Sequence, residues 1–126
     1  MDIKDIINNE NDKLRIVQEL VPGKEITLAH VIASPDPILY QKLGLNPELD
    51  FSGAAIGILT VTPAETAIIA ADISTKAANV DLSFVDRFSG TLITTGMISD
   101  VESGLKAVVD FCGEKLGFKV AKISKT

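Results

Sequence analysis

Apolar and polar positions alternate with a period of two along several short stretches and with a helical period along two longer ones. Leu14, Ile16, Gln18 and Leu20 point one way and Arg15, Val17 and Glu19 the other, which predicts a strand with one charged face. Val21-Pro22-Gly23-Lys24 breaks it as a turn. Ile26 to Ala33 predicts a second strand. Ser34-Pro35-Asp36-Pro37 then opens a short helix that ends at Leu43, with Gly44 as its stop. Ala55 to Val61 is a nearly continuous apolar strand. Thr62-Pro63-Ala64-Glu65 has the form of a capping box with Pro at the first helical position. The helix it starts runs to about residue 78, and its small inner stripe is Ala64, Ala67, Ile68, Ala71 and Ala78. Val80 to Phe88 and Thr91 to Ile98 are strands joined by the tight turn Ser89-Gly90, so they must pair antiparallel. Ser99-Asp100-Val101-Glu102 is a second capping box, and Val101, Leu105, Val108, Cys112 and Leu116 follow at helical spacing up to Gly117. Phe118 to Ile123 predicts a last strand.

The resulting order, β-β-α-β-α-β-β-α-β, predicts an α+β fold of ferredoxin-like type: an antiparallel sheet with helices mainly on one face. Three segments are expected: a polar tail over 1–13 with a short helix around Ile3, Ile6 and Ile7, a strand and turn over 14–22, and a domain over 23–126. A sheet with one open apolar face favours self-association. Gly57 and Gly96 allow close backbone approach on that sheet.

With 126 residues the chain makes one domain. Its net charge of −5 gains nothing from counterion release, so nucleic acid is not an expected partner. Lys119, Lys122 and Lys125 are spread out and read as solvated. The longest apolar runs, such as Ala54 to Leu59, are too short to span a bilayer, and the acidic start Met1-Asp2-Ile3-Lys4-Asp5 is not a signal peptide. Cys112 is the only cysteine, which suits a reducing cytosol, and it sits in a helical apolar pattern as a core residue.

Catalytic material is sparse. The single histidine, His30, shares a strand face with Ile26, Leu28 and Ile32 and reads as a packed, hydrogen-bonded side chain. No second histidine completes a metal site, no histidine partner activates the Ser and Thr hydroxyls, and no cofactor motif is present. Gly53 to Gly57 and Gly90 to Gly96 match neither a dinucleotide fingerprint nor a phosphate loop. Asp86-Arg87 at a strand end is open to two readings, an anion site or an ion pair that is exposed or bridges subunits.

The run Ala71-Asp72-Ile73-Ser74-Thr75-Lys76-Ala77-Ala78-Asn79-Val80 resembles the helix-to-strand junction of bacterial microcompartment shell proteins. Asp86-Arg87-Phe88-Ser89-Gly90 resembles the loop that lines their pore or axis. Leu28-Ala29-His30-Val31-Ile32-Ala33-Ser34-Pro35 resembles the strand and Pro turn that normally end the domain, yet here it comes first. That order is similar to the circularly permuted single-domain class of the ethanolamine-utilisation S-type and propanediol-utilisation U-type. Val21-Pro22-Gly23-Lys24, Thr27-Leu28-Ala29-His30, Ala55-Ile56-Gly57-Ile58 and Thr62-Pro63 also look like that class.

The resemblance implies a structural protein and not an enzyme: a homohexamer tiling into the shell of a cytoplasmic microcompartment with other shell proteins. Encapsulated enzymes or their targeting peptides are further expected partners. Residues 14–20 would form a barrel over the axis with Leu14, Ile16, Gln18 and Leu20 inside. Lys76 and Asn79 would lie at the edge between hexamers. Ser34 stands where the unpermuted family often has Arg, and Phe88 where its loop has a small residue, so lattice contacts and the pore should differ. The alternatives are a ligand-sensing regulatory oligomer with an anion at Asp86-Arg87, and a small enzyme using His30 and Asp86.

Overall fold

The computed structural model describes residues 23–44 and 54–126. The strand over 14–20, the turn's Val21-Pro22 and the tail helix around Ile3, Ile6 and Ile7 lie outside the described residues.

Five strands form one sheet in the order β3-β4-β2-β1-β5. They are β1 (Glu25–Ile32), β2 (Ala55–Thr62), β3 (Asp81–Asp86), β4 (Thr91–Gly96) and β5 (Ser124–Lys125). The helices are α1 (Ile38–Lys42), α2 (Thr66–Ala77) and α3 (Ile98–Lys115). The β1–β2, β2–β4 and β3–β4 pairs are antiparallel, and β5 joins β1 in parallel.

Helices α2 and α3 cover one face. Their Ala67, Ala70, Ala71, Val101, Leu105, Val108 and Cys112 pack on Ile26, Ala29, Val31, Leu59, Val61 and Leu92. A fully buried side chain such as Leu105 contributes on the order of 2–5 kcal/mol, judged by the usual cost of truncating it to Ala. The close approach depends on Gly57, where a Cβ would stand 2.7 Å from Thr94 Oγ1 and 2.8 Å from Val101 Cγ1. Cys112 is buried in this layer, and burial pushes its thiol pKa up, which makes it a poor nucleophile. On the other face, α1 lays Tyr40 against Ile56 near Ile32, Ile58 and Ile93. The Tyr40 hydroxyl donates to Ala54 O at 2.6 Å.

Several details differ from the sequence expectation. A β-bulge between Ile26 and Leu28 turns Ile26 to the helix side, so His30 shares its face with Leu28 and Ile32 but not with Ile26. Neither capping box forms, since α2 starts at Thr66 and α3 at Ile98, both without a side-chain cap. A run of i→i+3 bonds, from Thr66 N to Pro63 O through Ile68 N to Glu65 O, takes the place of the first cap. The inner stripe of α2 is Thr66, Ala67, Ala70, Ala71 and Ser74, and Ile68 points outward. Residues 118–123 do not form the predicted strand; Lys119 makes one bridge to Glu25, and the ladder proper is Ser124–Lys125. Lys125 is tied to Glu102 at 2.8 Å.

Candidate axial turn and assembly surface

The β3–β4 turn is built around one carboxylate. Asp86 accepts the Phe88 N–H at 2.9 Å and the Ser89 hydroxyl at 2.8 Å. The Gly90 N–H donates to Asp86 O at 2.9 Å, and Gly90 O in turn accepts the Val61 N–H at 2.9 Å. Gly90 holds φ +77°, and a Cβ there would collide with Val61 O, so the position requires Gly. The Phe88 amide first, and then the Ser89 hydroxyl, hold the Asp86 carboxyl below its ordinary pKa, with a smaller contribution from Arg87.

Asp86 therefore spends its oxygens inside the turn. The Arg87 guanidinium lies instead over the Phe88 ring, 4.9 Å from its centroid. No described ion pair joins Asp86 to Arg87; those present are Lys76–Asp72, Lys106–Asp110 and Lys125–Glu102. Phe88 is 80% exposed. Beside it opens a pocket of about 460 Å³ lined by Ile68, Val85, Asp86, Arg87 and Phe88. Leu82 and Phe84 extend the exposed apolar surface along the same edge strand.

Lys76 and Asn79 sit elsewhere. Lys76 ends α2 and pairs with Asp72 one turn back at 2.9 Å, with both side chains exposed. The Asn79 carbonyl packs near Gly96, where the Asp81 end of β3 meets β4. The turn is at the other end of β3, about 17 Å away at ~3.4 Å per residue. The two residue sets are thus separate features.

His30 is held through both ring nitrogens, Nδ1 2.6 Å from Ser124 Oγ and Nε2 2.9 Å from Thr126 Oγ1. It is the packed, bonded residue that its sequence position suggested. His30 and Asp86 are not brought together, since β2 and β4 lie between their strands, a separation of about 14 Å. Among the described residues no cluster of His, Cys, Asp or Glu could hold a metal, and no helix is long and apolar enough to cross a membrane.

Sequence reasoning missed Ile68 as a surface residue of this site. Its neighbour Ile69 is also exposed, and the helical period alone does not choose between these isoleucines and the flanking alanines.

Comparison with known proteins identifies the family. A shell protein named CutR from Streptococcus intermedius is 49% identical over 112 residues, 89% of this chain and 92% of that protein. The shell protein PduU of Salmonella typhimurium is 48% identical over 112 residues, 89% and 93% of the two chains. EutS of Escherichia coli is 46% identical over 115 residues, 91% and 99%. Among solved structures, a CutR flat hexamer superposes with a TM-score of 0.76 at 47% identity, covering 84% of this chain and 94% of that one. A fused permuted hexameric shell protein superposes at 0.59 and 25% identity, over 69% and 45%. The BMC domain model matches residues 55–123. The chain belongs to the BMC-domain family of bacterial microcompartment shell proteins.

Proposed function

We propose that this chain forms a cyclic homohexamer that tiles with other shell proteins into the wall of a cytoplasmic microcompartment. The observation that carries the ring is the exposed apolar strip of Ile68, Leu82, Val85 and Phe88, beside the pocket at the Asp86–Gly90 turn. Such a strip suits a head-to-tail contact with a different surface of the next copy, and contacts of that kind make a ring when the rotation closes. The Asp86–Gly90 turn lies at the axis in this reading, and Lys76 with Asn79 meets neighbouring hexamers at the edge. The opposite placement of these sets on β3 supports that division.

Residues 14–20 form the barrel over the axis, a reading supported by the alternation of Leu14, Ile16 and Leu20 with Arg15 and Glu19. With Phe88 crowding the opening, the tile acts as a capped element and presents a docking feature for encapsulated enzymes or their targeting peptides. The compartment is assigned to ethanolamine or propanediol utilisation on the motifs that resemble the S-type and U-type class, such as Val21-Pro22-Gly23-Lys24 and Thr62-Pro63. The role is structural, and no reaction is assigned to it.

Native mass spectrometry tests the ring. Six copies of a 13.4 kDa chain give about 80 kDa. A stable monomer or trimer would overturn the proposal. Limited proteolysis of the intact hexamer tests the barrel: residues 14–20 should resist cleavage while residues 1–13 are removed.

A further inference from the structure

The sheet face away from α2 and α3 has two unlike ends. At one, Tyr40 of α1 lies on Ile56. At the other, Leu28, Thr60, Thr91 and Asp86 form a row of register partners across β1, β2, β4 and β3. The next row is His30, Ile58, Ile93 and Phe84. Leu28 is 40% exposed and Phe84 47%. Helices α2 and α3 are on the opposite face, and on this face the Tyr40–Ile56 cluster covers Ile58 and Ile93 only in part and leaves Leu28 and Phe84 outside it.

The chain enters β1 at Glu25, which is at the open end. Twenty-two residues precede Gly23, and they carry Ile3, Ile6 and Ile7 at the i, i+3, i+4 spacing of one helical face. Asp2, Lys4, Asp5, Asn8 and Asn9 occupy the other positions. Fifteen residues, 8–22, separate Ile7 from Gly23 and can span up to about 50 Å. With 14–20 extended as one strand, residues 8–13 still add roughly 20 Å, enough to turn back along it. The relatives align over 112 and 115 of the 126 residues here, so the chain carries residues beyond the shared domain.

We infer that Ile3, Ile6 and Ile7 seat on the open end of this face, against Leu28, Ile58, Ile93 and Phe84. The occupant is thus the chain's own N-terminal segment, and its three aliphatic side chains match the band in chemistry. The polar positions of the segment face away, which leaves a hydrophilic cover on what is otherwise an exposed apolar surface. The inference does not depend on ring closure.

Thiol labelling of the full chain carrying Leu28→Cys tests it, with buried Cys112 as a slow internal background. Adding Ile3→Ser, Ile6→Ser and Ile7→Ser should speed maleimide reaction at position 28 at least fivefold, and an unchanged rate overturns the inference. A benzophenone side chain placed at position 6 gives a second readout that leaves Leu28 in place. Cross-links to peptides from residues 25–32, 55–62 or 81–96 support the inference, and cross-links confined to α2 or α3, or none, overturn it. Native mass is recorded on the unsubstituted chain in parallel, so a missing hexamer there would overturn the ring separately from the labelling ratio.

Discussion

The two ends of β3 solve opposite problems. At the Asp86 end, one carboxylate, one hydroxyl, two backbone amides and a left-handed Gly lock the turn from within the protomer. At the Asp81 end, Lys76 is held, among the described residues, by an exposed pair with Asp72. Such a pair is weak and easily exchanged for another carboxylate or carbonyl. Geometry at the turn is thus fixed before assembly, while geometry at the Lys76 end is left to whatever the lysine meets.

The contrast can be broken most severely at Gly90. Gly90→Val puts a branched side chain at φ +77° and against Val61 O, and should cost about 2–4 kcal/mol. Thermal unfolding should show a fall of roughly 10 °C; a change within about 2 °C would mean the turn is soft.

Ile68→Asp should leave the protomer folded, because Ile68 is 51% exposed. It should weaken the proposed ring at least tenfold, about 1.4 kcal/mol or more per contact, by putting a charge into the apolar flank. Analytical ultracentrifugation across a dilution series checks this, and an unshifted hexamer would remove Ile68 from the interface.

A finer probe is pH. The folded Asp86 carboxyl titrates below its unfolded value. Its contribution to stability is therefore complete above about pH 4 and is lost as pH falls through the lower folded value. Asp86→Asn should flatten that part of the melting-temperature profile, and matching acid limbs in the two proteins would refute the assignment.

The smallest effect on the fold is expected at Lys76→Ala, within about 0.5 kcal/mol for the protomer. Sheet or shell incorporation should nevertheless drop when followed by electron microscopy. Dissociation of the hexamer instead would move Lys76 from the edge into the ring contact.

How much of this was legible in the chain depended on how one-sided each pattern was. α3 was readable because its apolar positions admit a single inward face, as Val101, Leu105, Val108 and Cys112 do, and β2 because a short continuous apolar run suits a strand packed on both faces. The inward face of α2 was not, because alanines surround it and only the packing distance to the sheet chooses Ala70 and Ser74 over Ile68. The bulge in β1 breaks the period of two, and the flank of Ile26 follows from it. Phe118 to Ile123 carries strand-like residues, but their pairing depends on the register with β1, which no local pattern encodes. The turn itself was legible as a unit, Asp86 to Gly90. That Arg87 would turn to the Phe88 ring and not to Asp86 was not, since it depends on the turn having already used the carboxylate.

The missing side chain at Gly57 has a consequence for the wall as a barrier. If tiles of this fold form the proposed wall, its leakiness away from any pore depends on how tightly helix layer meets sheet layer within each copy. Thr94 and Val101 already occupy the space a Cβ would need. A methyl group at Gly57 would prise the layers apart in every copy at once. A wall of such tiles could keep its outline and lose its seal.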